Sequence, residues 1–367
     1  MQSHNTVTQA QTRFPELEVS GSPREMGRQT GEAFRELVRG WSGLVVERFN
    51  TGSGTPITHE QALGVARSAL RVAEDHSPDV VEELRGVAEG AGVSVEQVML
   101  VNVKNQLSAA LRGSHGCTTV AAEPRATEDG AGIIGQNWNN DPAADEYSVV
   151  LTRRPLDAPA SMSWLQPGVA GYMGVGETGM AVCLNAMPGQ SRAEGLPWYF
   201  IVRRLLESRS LDEAVSEAER GPRAIPANAG MMTPQGAADL EVMIDRVGVL
   251  RADEHGIMTH TNHCLHPDLQ AVNSEHGDGI FPQSYERCGR AAELLRNAGL
   301  PVAPAAFETI LSDHEGFPRS ICRHPNDDER TGHLRSVVSL IMESDHCRML
   351  VSRGNPCERP YEEYRMG

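Results

Sequence analysis

His115-Gly116-Cys117-Thr118-Thr119 is where the chain changes texture, and the fold follows from what lies on either side. Downstream, short β-rich runs stand at 133–137, 147–152, 162–165 and 180–186, separated by Gly, Pro and Asp. Upstream, the first hundred residues carry repeated helix-start signals. Ser22-Pro23-Arg24-Glu25 is a capping box with proline at the first helical position, and Gly40 offers a stop. Thr58 with Gln61 and Ser94 with Gln97 repeat the capping logic, and 80–88 reads as a further helix closing near Gly90 and Gly92.

Further along, 198–208 and 211–220 read as helices, the second with a Ser210/Glu213 box. Strands follow at 240–245, 248–252 and 257–261, helices at 285–297 and 305–313, and a closing hairpin at 336–343 and 348–352. Strands arriving in consecutive runs favour layered α+β over βαβ winding. The expected architecture is antiparallel sheets packed face to face with helices outside.

The chain has 367 residues, 33 basic and 49 acidic, for a formal charge of -16. That balance argues against nucleic acid or an anionic membrane as partner. No apolar run is long enough to span a bilayer. Residues 1–13 are polar, read as a floppy lead-in and show no secretory signal. The seven cysteines, at 117, 183, 264, 288, 322, 347 and 357, form no CxxC pair, which points to reduced thiols and a cytoplasmic setting.

Two readings of Cys117 stand. A free cysteine is ordinarily a small buried hydrophobe. Alternatively, Gly116 leaves its carbonyl unshielded, so the thiol could attack it, and hydrolysis would free an α-amine on Cys117. Such an amine titrates near ~7.7–8.0, which suits general-base work. Nucleophile and base then belong to one residue.

His260-Thr261-Asn262-His263-Cys264 forms a second cluster. A metal-binding protein using His260, His263 and Cys264 is one reading; beyond it, only His324 beside Cys322 and His346 beside Cys347 offer further ligands. The strand-like spacing, which sends residues three apart to opposite faces, speaks against it. Asn262 could instead donate to an oxyanion or serve only as a turn residue. Arg323, in Ser320-Ile321-Cys322-Arg323, is either a solvated charge or a carboxylate clamp. Gly135-Gln136-Asn137-Trp138-Asn139-Asn140-Asp141 reads as a strand running into an Asn/Asp turn.

Taken together, Gly-Cys-Thr-Thr at 116–119, Gly-Gln-Asn-Trp at 135–138, His-Thr-Asn-His-Cys at 260–264 and Ser-Ile-Cys-Arg at 320–323 resemble the acyl-CoA:6-aminopenicillanic acid acyltransferase family, within the N-terminal-nucleophile hydrolases. The resemblance extends to 21–27 and 83–88. It implies an αββα sandwich and autocatalytic scission between Gly116 and Cys117. Residues 1–116 would become a small α subunit and 117–367 a large β subunit, integrated as one domain. The resemblance makes Cys117 the nucleophile, Asn262 an oxyanion-stabilising residue and Arg323 a substrate contact. Asn139, also a candidate substrate contact, stands where the family pattern has Asp, and supplies a neutral amide; Asp141 is the nearest carboxylate that could replace it. The expected activity is amide hydrolysis on a small N-acyl or aminoacyl amine through a thioester, with acyl transfer to an amine, the acyl group coming from acyl-CoA or elsewhere, as the alternative. No cofactor or metal is expected, and the partners are a small-molecule amide and the cleaved leader.

Overall fold

A computed structural model describes residues 12–52, 56–107, 116–276, 282–329 and 332–367. Most of the polar lead-in, and His115, lie outside the described residues.

The leader begins with a strand, β1 (Glu16–Gly21), followed by α1 (Pro23–Ala33), α2 (Arg35–Gly52), α3 (His59–His76), α4 (Pro78–Ala91) and α5 (Val95–Val103). The capping boxes at Ser22/Glu25, Thr58/Gln61 and Ser94/Gln97 all form. Gly40 does not stop a helix. The break falls at Phe34, and α2 runs through Gly40, which is close-packed: a Cβ there would lie 2.5 Å from the Tyr147 ring. α1 and α4 cross almost backbone to backbone. A Cβ on Gly27 would meet the Glu83 carbonyl at 1.9 Å, and one on Gly86 the Arg24 carbonyl at 2.2 Å. Only glycine permits that approach.

After Gly116 come β2 (Gly116–Ala122), β3 (Ile133–Asn140), β4 (Val149–Pro155), β5 (Ser161–Leu165), β6 (Gly174–Gly176) and β7 (Ala181–Ala186). Then follow α6 (Trp198–Glu207), α7 (Leu211–Glu219), β8 (Ala227–Thr233), β9 (Gly236–Val242), β10 (Val247–Arg251) and β11 (Ile257–His260). The chain ends with α8 (Ala271–His276), α9 (Pro282–Asn297), α10 (Pro304–Leu311), β12 (Arg335–Glu343), β13 (Arg348–Arg353) and β14 (Glu362–Arg365).

One sheet runs β1-β4-β5-β6-β7-β8-β9-β10 and the other β11-β2-β3-β12-β13-β14. The sheets pack face to face. Gln136 on β3 crosses the interface like a piece of backbone: its Nε2 donates to the Leu184 carbonyl at 2.6 Å, and its Oε1 accepts from the Leu184 amide at 2.9 Å. α9 and α10 cover the outer face of the smaller sheet, through a core that includes Val120, Ala291, Leu295 and Phe307. α6 and α7 cover the larger sheet. The αββα layering expected from the sequence is the one observed. The sheets are not wholly antiparallel, because β1 pairs parallel with β4 and carries the leader into the larger sheet.

A buried ion cluster joins the leader to the rest. Glu83 on α4 accepts from Arg153 on β4 at 2.6 Å and from Arg203 on α6 at 3.1 Å, and Arg203 also binds Glu207 at 2.5 Å. Nearby, the Asn102 side chain on α5 accepts from the Ala170 amide and donates to the Gly168 carbonyl.

Candidate active site

β11 ends at His260, opposite Thr119, so β2 has no strand neighbour on that edge at Cys117. Side chains replace the missing strand. Asn262 Oδ1 accepts the Cys117 amide at 3.0 Å. Arg287, from α9, donates to the Cys117 carbonyl at 2.6 Å, to Thr118 Oγ1 at 2.9 Å and to Asn262 Oδ1 at 2.9 Å. Asn262 is fixed from two further sides: its Nδ2 donates to the Ala186 carbonyl at 2.9 Å, and its amide donates to Ser284 Oγ at 2.8 Å.

Cys117 lies opposite Trp138 across β3, and side-chain alternation turns both into the space between the sheets. Trp138 packs edge-on to Trp164 and Tyr172, and Tyr172 packs on Tyr199. The half-buried Lys104 ammonium lies 5.7–5.8 Å from the ring centres of Trp41, Trp138 and Tyr199, within cation–π range. Desolvation lowers Lys104 to about 8, against the pull of Asp141.

Burial pushes the Cys117 thiol up to about 11; the Arg287 charge, the backbone of Ala186 and Asn139, and the Asn262 side chain pull the other way. The thiol is therefore protonated at neutral pH. Among the described residues, no histidine or carboxylate hydrogen-bonds to it. Burial also lowers Arg287, to about 10, which leaves it charged.

Gly116 is ringed on the opposite face of β2. A Cβ placed on it would lie 3.5 Å from Arg323 Nη1, 3.6 Å from Arg287 Nη2 and 3.6 Å from Asn139 Nδ2. Arg323 is buried. Asn139 donates to the Ile321 carbonyl at 3.2 Å and accepts from Ser336 Oγ at 2.7 Å. A carboxylate could not make the first of these bonds. Asp141 does not return to the site, because it pairs with Arg48 on α2 at 2.5 Å and caps the turn at Ala143.

Cys117, Asn262, Asn139 and Arg323 thus converge on one peptide bond. The metal reading of the second cluster fails on geometry. His260 Nε2 is bonded to Glu241 at 2.9 Å, His263 Nδ1 to Ser284 Oγ at 2.8 Å, and Cys264 packs with Met187, Met243 and Leu269. Arg287, Lys104 and the Tyr172–Tyr199 pair stand in no recognisable motif of the sequence. Arg287 lies 170 residues from Cys117 and reads as an ordinary helical arginine.

Residues 125–352 match the sequence profile of the acyl-coenzyme A:6-aminopenicillanic acid acyl-transferase family. The chain belongs to that family. The matched span starts downstream of Cys117, but a full-length relative covers both sides. The acyl-coenzyme A:6-aminopenicillanic-acid-acyltransferase 40 kDa form of Emericella nidulans is 28% identical over 357 residues, 94% of each chain. Among solved structures, penicillin V acylase from Agrobacterium tumefaciens aligns at 14% identity and a TM-score of 0.44, covering 65% of this chain and 83% of its own. A mutant of conjugated bile acid hydrolase from Clostridium perfringens aligns at 12% identity and a TM-score of 0.41, covering 68% and 97%. Membership of the acyl-transferase family makes the chain one of a group of acyl-transferring enzymes.

Proposed function

We propose that the chain cuts itself between Gly116 and Cys117 and then uses Cys117 as an N-terminal nucleophile on the amide bond of a small N-acyl or aminoacyl amine. The carrying observation is the 3.0 Å contact between the Cys117 nitrogen and Asn262 Oδ1. In the intact chain that nitrogen is an amide; scission would make it an amine already held by a fixed acceptor.

In the first stage the Cys117 sulfur adds to the Gly116 carbonyl, the Gly116–Cys117 C–N bond breaks, and the nitrogen leaves as an amine. Water resolves the thioester and gives Gly116 a carboxylate. In the second stage the free amine takes the thiol proton, sulfur attacks the substrate carbonyl, and the departing amine carries that proton away. The second Nδ2 hydrogen of Asn262 is the donor we assign to the oxyanion. Arg287 holds Asn262 and the Cys117 carbonyl in register. Arg323 and Arg287, which flank Gly116, would receive a substrate carboxylate once the leader's own end has left, and Asn139 would orient that pocket. The Glu83 cluster would keep fragments 1–116 and 117–367 together.

Acyl transfer to an amine is the second reading. It is favoured by the family's description and by the apolar surroundings of Cys117, which disfavour water as acceptor. Acid-quenched mass spectrometry during turnover of a panel of N-acyl amines tests the nucleophile. The expected result is one acyl group on Cys117, lost faster when an amine acceptor is added if transfer operates. Turnover that survives Cys117→Ala would overturn the proposal.

A further inference from the structure

Beside the loop that carries Arg323, four ligand atoms converge from three stretches of chain. His314 follows α10, Cys322 and His324 flank Arg323, and Cys357 lies between β13 and β14. We propose that Cys322, Cys357, His314 and His324 form a structural zinc site.

Four of the six edges among these ligand atoms fall close to those of a tetrahedron around zinc. Zinc–sulfur and zinc–nitrogen bonds of about 2.3 and 2.0–2.1 Å require edges of about 3.8 Å between sulfurs, 3.5 Å between sulfur and nitrogen, and 3.3 Å between nitrogens. The two sulfurs lie 3.6 Å apart. His324 Nε2 lies 3.8 Å from Cys322 Sγ, 3.3 Å from Cys357 Sγ and 3.0 Å from His314 Nε2. All four atoms are within 4.8 Å of one another. Two thiolates and two imidazoles make a closed set that suits zinc and leaves no position for catalysis.

The surroundings support the same reading. His324 uses Nε2 toward the cluster while its Nδ1 faces the Glu358 carboxylate at 3.6 Å, the arrangement that orients a metal-bound histidine. Asn355 Nδ2 lies 3.4 Å from Cys322 Sγ and also donates to the Arg323 carbonyl at 2.7 Å. Zinc binding would release the two thiol protons to solvent. Because Arg323 sits between two ligands, the metal would fix its backbone from both sides while its guanidinium faces Gly116. The site departs from the expectation that the chain holds no metal. His324 beside Cys322 was visible in the sequence, but Cys357 lies 35 residues away and gives no motif spacing.

Elemental analysis of purified chain, loaded with zinc and dialysed against metal-free buffer, is expected to find about one zinc per chain. Cobalt in its place should give the visible absorption of a tetrahedral cobalt thiolate. Cys357→Ser and His314→Ala, both at exposed positions, should lose most of the metal while circular dichroism stays unchanged. Cys117→Ala should keep it, so the result does not depend on self-cleavage. A folded wild-type chain that binds neither metal would overturn the site. So would metal retained by Cys322→Ser combined with Cys357→Ser, or a Cys322–Cys357 disulfide in the zinc-loaded protein.

Discussion

Asn262 Oδ1 accepts the backbone nitrogen of Cys117 at 3.0 Å and, at 2.9 Å, the guanidinium of Arg287. One amide oxygen thus holds the atom that the proposed scission would turn into an amine and the charge that opposes the raised thiol. Replacing Asn262 by Ala removes this anchor and the nearby N–H donor. Turnover of an amide substrate is expected to fall about 10²–10³-fold, the scale of losing one oxyanion donor. Single-turnover kinetics on the processed protein measure it, and an unchanged acylation rate would take Asn262 out of the reaction.

The pH dependence of scission follows from the Cys117 thiol, which burial raises to about 11 in the intact chain. Below that value the thiolate fraction grows about tenfold per pH unit. Scission is expected to quicken by roughly that factor between pH 7 and 8. Arg287→Met, which removes the opposing positive charge, should slow it throughout the window. Freshly translated chain sampled on denaturing gels gives both rates; a pH-independent rate would remove the thiolate from the slow step.

Glu83 stands between two buried guanidiniums that lie on the other side of the proposed scission point. Glu83→Gln leaves Arg153 without its countercharge and Arg203 with Glu207 alone, and is expected to cost about 3–5 kcal/mol. Although burial opposes it, the pull of Arg153 and Arg203 lowers the Glu83 carboxyl below its usual range. A lowered carboxyl stabilises the fold above its unfolded-state pKa, and that contribution fades as pH falls through the folded value. Urea unfolding at pH 7 and below pH 4 tests this; equal losses at both would contradict the assignment.

Arg323 faces Gly116 from the outer side of β2, away from the thiol. Its loss should therefore weaken binding without touching the chemical step. For substrates bearing a carboxylate, Arg323→Ala is expected to raise KM about 10–100-fold, the worth of a charged hydrogen bond, with kcat little altered. Neutral amides should be unaffected. A fall in kcat for both classes would assign Arg323 to catalysis.

Much of this architecture was legible because local chemistry and global packing agree. The capping boxes at Ser22, Thr58 and Ser94 start helices where they were read, and β3, β5 and β7 fall on the β-rich runs. β8, with the sequence ANAGMMT, was missed because small residues and methionine carry little strand preference; it exists through pairing with β7 and β9. The charged edge strand β14 and the parallel partner β1 likewise owe their form to distant neighbours. The same limit applied at the site. Cys117 and Asn262 stood in readable motifs, whereas Arg287 joins them only because α9 lies across the end of β2.

The central claim is that Cys117 becomes a chain terminus. Intact-mass measurement of the purified protein, beside its Cys117→Ala variant, tests it most directly. The wild type should give two fragments, one ending at Gly116 and one beginning at Cys117, and the variant a single full-length chain. A wild-type protein that remains in one piece while it turns over amides would contradict the account.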